Sequence, residues 1–287
     1  MVKSGGASQR TRLWAVLLMP PTLWMLVFFV SSIALVIALS FGVTGDDGLP
    51  RFGHTLVNYQ AILNTTYLNT MLRSLTYAVI TVVICLVIGY PVAYAIALHG
   101  GRYKNALIAA IVMPFFASYL VRMYAWTTLL SDEGVVNHVL QQTGLSSGIQ
   151  FLNTPYAVII GLVYGFIVFM ILPIYASLER MDTSLIEAGK DLYHGPMRTF
   201  LHVTVPATKA GMLGGVLLVF LPSMGDFVSA QLLGGPNTYM VGNLVQQQFF
   251  DGQNWPLGSA LTVVLMVALL AFMVFYLRAS STRMREA

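Results

Sequence analysis

Six apolar stretches, each long enough to cross a bilayer, divide this chain. A span needs about 20 such residues. The stretches run Leu13–Phe41, Met71–Leu98, Ala106–Leu130, Tyr156–Leu178, Gly211–Leu233 and Leu257–Leu277. In hydrocarbon a single segment satisfies its own backbone only as a helix. The expected fold is therefore all-α: one polytopic membrane domain over residues 1–287, built as a six-helix bundle. The composition fits a bilayer as solvent, since 9% of the residues are charged against roughly 25% in soluble proteins.

Basic residues set the expected orientation, because they favour the cytoplasmic side. Lys3, Arg10 and Arg12 precede the first span, and Arg102 and Lys104 fill the second loop. Arg180, Lys190, Arg198 and Lys209 lie in the fourth loop; Arg278, Arg283 and Arg285 follow the last span. The alternate loops hold only Arg51, while Arg73 and Arg122 fall within spans. Both termini and the polar island 179–209 are therefore expected in the cytoplasm, as in a multi-pass protein of a bacterial inner membrane. The first span has the basic flank of a secretory signal, but its apolar core exceeds the roughly 7–15 residues of one. It is expected to stay as an anchor. Cys85, the single cysteine, falls mid-span and has no partner for an intrachain disulfide. The pI of 9.2 reflects the inner loops and needs no nucleic acid to explain it.

Three other loops carry signals. Between Gly42 and Thr70, the turn residues Gly45, Asp46, Asp47, Gly48 and Pro50 precede Leu56, Tyr59, Ile62 and Leu63. That spacing predicts a short surface helix, resting on lipid or docking an external partner. Asp132 and Glu133 mark the third loop as external. In the fifth, Met240, Val241, Leu244 and Phe249 are too apolar for a plain solvated loop, so a short re-entrant or interfacial helix is expected over Val241–Phe250. Pro91, Pro114, Pro173 and Pro222 each remove a helical hydrogen bond, which fits a moving or cavity-lining bundle as well as a merely shaped one.

Catalytic constellations lack support. His54, His99, His138, His194 and His202 are scattered over both sides of the membrane, and HExxH and CxxC are missing. No metal or cofactor is expected on this chain. With no GxxxxGK[ST] loop either, any driving ATP and its magnesium belong to a partner.

The island reads as two short helices joined by a turn. Ser184 and Glu187 have capping-box spacing; Leu185, Ile186, Ala188, Leu192, Phe200, Leu201 and Val203 supply an apolar face; Gly195-Pro196 breaks the helix. Read from its residues alone, this could equally be an amphipathic loop lying on the inner leaflet. The stretch resembles the EAA loop of ABC importer permeases, whose pattern is Glu-Ala-Ala, three residues, Gly and, further on, Ile-x-Leu-Pro. Glu187, Ala188, Asp191 and Pro206 match. Gly189 stands where the family has the second Ala, and Tyr193 where it has Gly. A tyrosine at positive φ costs on the order of 1 kcal/mol, so the turn is expected to shift to Gly195.

The resemblance covers nearly the whole chain and is closer to spermidine/putrescine permease subunits of the PotB and PotH type. Ile88–Ala97, Met113–Trp126, Ala157–Asp182, Leu221–Asn237, Gln248-Phe249 and Asn254-Trp255-Pro256 carry it. It implies a type I, MetI-like bundle acting as a non-catalytic half-channel. The implied partners are a second similar permease, a homodimeric ABC ATPase and a periplasmic binding protein. It also implies ATPase coupling through Glu187, Ala188, Gly189, Asp191, Tyr193, Gly195 and Pro206. Related permeases carry ferric iron, opines or aminophosphonates, so these cargoes stay open beside a polyamine. An ion-driven secondary transporter is a further alternative, though such proteins often show internal repeats and none is evident here.

Arg122 and Asp226 are charges within spans and are functional candidates for that reason. Both lie ~24 Å from the inner ends of their spans at the helical rise. Two readings follow: an ion pair between them, or Asp226 lining the path of a cationic substrate. In the second, Tyr124, Trp126 and Phe227 add cation–π contacts. Arg73 is expected to snorkel to the outer interface.

Overall fold

A computed structural model describes residues 5–45, 47–143, 150–193 and 195–284, the side chains of 5–16, 193 and 279–284 excepted. Lys3, His194 and Arg285, with the side chains of Arg10, Arg12, Tyr193 and Arg283, lie outside the described residues.

The first helix, α1 (Gly5–Ser40), leads into a two-residue antiparallel pair, β1 (Val43–Thr44) with β2 (Pro50–Arg51). Then come α2 (Val57–Ile62) and α3 (Thr65–Tyr94), which continues through a π turn to His99. Next are α4 (Lys104–Val112), α5 (Tyr119–Leu130), α6 (Val135–Gln142), α7 (Pro155–Glu179) and α8 (Ser184–Tyr193). The chain closes with α9 (Pro196–Thr199), α10 (Val205–Ala207), α11 (Lys209–Gly225), α12 (Val228–Leu232), α13 (Val241–Gln246) and α14 (Trp255–Met284). The expected surface helix before the second span is α2; it packs on α14, with Ile62 buried against Leu244, Leu257 and Leu261.

Among the described residues, four helices are long and apolar enough to cross a membrane unbroken: Leu17–Ser40, Thr65–His99, Pro155–Glu179 and Trp255–Arg278. The third and fifth apolar stretches are not single helices. Pro114 has no N–H to give to the Ala110 carbonyl, and Met113–Phe116 tightens into a 3₁₀ turn. Ala117 and Ser118 are then extended, so Gly101–Phe116 meets Tyr119–Gln142 at 91°. Just ahead of the fifth stretch, Pro196–Ala207 meets Lys209–Gly225 at 68°. α11 then stops at Gly225, and Asp226 is extended (φ −67°, ψ 134°) before α12 begins. The expected continuous helix Gly211–Leu233 thus breaks at its one carboxylate.

The core is the trio α3, α7 and α11, joined by Tyr77, Cys85, Leu162, Met170, Ile174 and Val219. Close approach of α7 and α11 depends on small residues. A Cβ on Gly211 would collide with the Pro173 carbonyl oxygen and Ser177 Oγ, and one on Gly215 would meet Met170 Sδ at 2.7 Å. Gly211 and Gly215 sit one turn apart on one face, the spacing that lets membrane helices touch backbone to backbone. Gly211→Ala is expected to destabilise the purified chain by about 1–3 kcal/mol through overpacking, read as a lower Tm in detergent. At Gly214 the nearest atom to a new Cβ is Pro173 Cβ at 3.9 Å, so Gly214→Ala should match or exceed the parent. Equal losses at both positions would contradict this account of the helix contact.

At one end of the bundle the loops are tied together. Thr44 Oγ1 donates to Asn254 Oδ1 at 2.9 Å, and the Asn153 N–H donates to the Leu233 carbonyl at 2.9 Å. Arg73, expected to snorkel to the outer interface, donates to the carbonyl of the loop residue Asn237. The expected helix over Val241–Phe250 is α13 followed by a π turn, Gln247–Asp251. It is held inward by the Val241 N–H, which donates to Ser74 Oγ at 2.7 Å.

Candidate functional site

Two places gather the residues singled out by the sequence, at opposite ends of α11. The first is the α8–α10 hairpin. The expected capping box at Ser184 does not form. The Ser184 N–H instead donates to Asp182 Oδ1 at 2.9 Å, so the cap lies two residues earlier. The Ser184 backbone donor, and then its side chain, hold the exposed Asp182 carboxyl below its ordinary value. α8 runs helically through Tyr193, and Gly195 is extended at φ 180°. The break therefore lies beyond Tyr193, as the sequence implied, but no left-handed glycine makes it.

Gly189 is the one buried residue of α8 among those whose side chains are described, and a Cβ there would sit 2.8 Å from Thr199 Cγ2 and 2.9 Å from Val203 Cγ2. The glycine therefore lets α8 lie directly on the returning segment. That segment is fixed to α3: Phe200 packs edge-on against Tyr90 and Tyr94 at 5.3 and 5.6 Å, and Tyr90 Oη lies 2.8 Å from Thr208 Oγ1. With this side covered, α8 exposes Leu185, Glu187, Ala188, Asp191 and Leu192. Pro206 is exposed on α10. The outward face is thus apolar with two carboxylates one turn apart.

The second place is the helix break. Asp226 is 8% exposed. Its Oδ2 accepts the Ser229 N–H at 2.9 Å, starting α12, and its Oδ1 accepts the Tyr119 hydroxyl at 3.1 Å. The Ser229 hydroxyl lies 2.7 Å from Tyr119 Oη. Gly242 of α13 lies against the Gly225 and Asp226 carbonyl oxygens, and Asn243 Nδ2 donates to the Phe227 carbonyl at 2.9 Å.

The expected ion pair between Arg122 and Asp226 is not formed. Among the described residues the ion pairs are Arg51 with Asp47 and Lys104 with Glu179. The Arg122 guanidinium instead sits in an aromatic cage, its Cζ 4.5 Å from the Phe115 ring centre, 5.5 Å from Tyr119 and 5.9 Å from Tyr164. Its buried Nε and Nη1 have no hydrogen-bond partner. Tyr119 therefore stands between the charges, its ring under the cation and its hydroxyl on the carboxylate.

The sequence missed Tyr119, Ser229 and Asn243. The i,i+3 spacing of Tyr119 to Arg122 and of Asp226 to Ser229 was a usable signal for two of them. Trp126 stacks edge-on with Tyr164 at 5.3 Å and so borders the cage. Tyr124 and Phe227 are exposed, 59% and 38%, and stand apart from it.

Residues 87–286 match the family described as binding-protein-dependent transport system inner membrane component. The spermidine/putrescine transport system permease protein PotB of Haemophilus influenzae is 38% identical over 92% of either chain. The PotB protein of Escherichia coli K12 is 35% identical over 90% of this chain and 94% of its own. A solved bacterial ABC transporter involved in the import of the acidic polysaccharide alginate matches with TM-score 0.74 at 17% identity, over 96% of both chains. The MetNI methionine ABC transporter, inward facing, matches with TM-score 0.58 at 15% identity, over 75% of this chain and 94% of that one. At such identities the two structures speak for the fold alone.

Proposed function

Because the chain belongs to the family of binding-protein-dependent transport system inner membrane components, we propose that it is the permease subunit of an ATP-driven importer of polyamines such as spermidine and putrescine. The observation that carries this reading is identity of 35–38% to PotB permeases over about nine-tenths of the chain. In this reading the chain forms half of the path beside a second, similar permease. The basic residues orient it with both termini and α8 in the cytoplasm. There the outward face of α8, apolar with Glu187 and Asp191, meets a homodimeric ATPase that binds the nucleotide and magnesium. The opposite loops meet a periplasmic binding protein. The buried Asp226 carboxylate at the helix break suits a cationic cargo, which a neutral path would have to strip of water without compensation.

The test is ATP hydrolysis by the assembled transporter in lipid vesicles, with its binding protein and a panel of polyamines, opines and aminophosphonates. Stimulation by spermidine or putrescine is expected. Stimulation by another ligand alone would keep the importer and remove the polyamine; hydrolysis indifferent to every ligand would remove the importer reading.

A further inference from the structure

A second polar site lies on the loop side of the Asp226 break. π turns recur at functional positions in helices. Here the turn Gln247–Asp251, together with the end of α13, faces α12 and the loop residue Tyr239. Between them is a cavity of about 70 Å³ lined by Gln231, Tyr239, Asn243, Gln246, Gln247 and Asp251. Asn243 is engaged on both sides of its amide: it accepts the Met240 N–H and donates to the Phe227 carbonyl. The side chains of the other five make no hydrogen bond or ion pair among the described residues. Five unengaged polar groups thus converge on one small space.

The lining holds one carboxylate and no cation. Arg73, which reaches this loop, is turned onto the Asn237 carbonyl and does not line the cavity. An anion would meet Asp251 without a counter-charge, and an apolar group would strand the amides. An ammonium group finds one charge and several amide and phenol oxygens as acceptors. The volume suits a head group rather than a whole solute. Asn243 is shared with the break below, because its amide donates to the residue that follows Asp226. An exposed carboxylate by itself holds a cation weakly, so such a station passes its cargo on instead of trapping it.

We propose that this cavity receives one primary ammonium group of a linear polycation, with Asp251 as counter-ion, before the solute reaches Asp226. The identity of the solute rests on the polyamine reading above; the ammonium chemistry does not. Cys85 is the only cysteine and is fully buried, so a Gln246→Cys variant of the full chain in lipid nanodiscs presents one reactive thiol. Saturating n-propylammonium is expected to slow its reaction with N-ethylmaleimide about five-fold by occupancy of the site, and n-propanol to leave the rate unchanged. Adding Asp251→Asn should abolish the protection. No protection by n-propylammonium, or equal protection by n-propanol, would overturn the proposal.

In the assembled transporter, Asp251→Asn is expected to raise the KM for spermidine about ten-fold, with Asp251→Glu restoring it and binding-protein docking unchanged. An unchanged KM would overturn the transport role of the cavity. Protection by n-propylammonium without spermidine uptake by the parent would keep the ammonium site and sink the polyamine cargo.

Discussion

Replacing Glu187 by alanine is expected to cut ATP-driven uptake by about ten-fold or more while leaving membrane insertion and the fold of the chain unchanged. Glu187 is exposed on the outward face of α8 and makes no ion pair among the described residues. Its removal therefore strands no group within this chain. α8 also keeps Asp191 one turn later, and like charges at i,i+4 cost a helix a few tenths of a kcal/mol. Asp191 further lies near the helix C-terminus, where a carboxylate opposes the dipole. Two carboxylates without an ion pair among the described residues, on a helix that also exposes Leu185, Ala188, Lys190 and Leu192, make sense if a groove with cationic groups on another protein covers them. The measurement is uptake into vesicles, paired with co-purification of the ATPase. Loss of uptake with the ATPase retained assigns Glu187 to transmission of movement; loss of both assigns it to docking. Wild-type uptake would remove α8 from the energy pathway.

Much of this architecture was legible because the bilayer allows so few solutions. Apolar length alone located the helices α1, α3, α7 and α14, since a spanning segment must satisfy its own backbone. The breaks were not legible. Pro91, Pro114, Pro173 and Pro222 all remove a hydrogen bond, yet α3, α7 and α11 run on through Pro91, Pro173 and Pro222. Only around Pro114 does the chain turn, because the extended Ala117 and Ser118 follow it. The turn at Asp226 follows Pro222 by four residues, but what fixes it is the carboxylate capping α12 and Gly242 pressing on the Gly225 carbonyl. Such contacts couple residues far apart in sequence, and no local pattern reports them. The same limit misled the pairing of Arg122 with Asp226. Equal depth along two straight helices says nothing about azimuth, and the bend before Tyr119 turns the guanidinium onto aromatic rings.

Asp226→Asn is expected to leave the folded chain within about 1 kcal/mol of the parent, because asparagine caps a helix as well as aspartate does, yet to lower polyamine uptake about ten-fold or more. The argument rests on what the position needs structurally. Starting α12 takes an oxygen to accept the Ser229 N–H, and a second acceptor serves the Tyr119 hydroxyl. Neither partner is charged, and an amide oxygen answers the first without the desolvation cost of a buried carboxylate. Arg122 does not offset that cost directly, since its guanidinium is held over Phe115, Tyr119 and Tyr164. The negative charge is therefore surplus to the fold, and the proposed visit of a cation to the break would give it a role. Asp226→Leu separates the two roles from the other side: it leaves the Ser229 N–H without its side-chain acceptor, at about 1–3 kcal/mol, while the Tyr119 hydroxyl keeps the Ser229 hydroxyl, so its Tm should fall along with uptake. Tyr119→Phe keeps the ring beneath Arg122 and the carboxylate in place, and should retain most of the uptake. Thermal unfolding in detergent and uptake kinetics in vesicles, measured on all three variants, decide the matter. Wild-type uptake by Asp226→Asn would make the carboxylate a helix cap and nothing more.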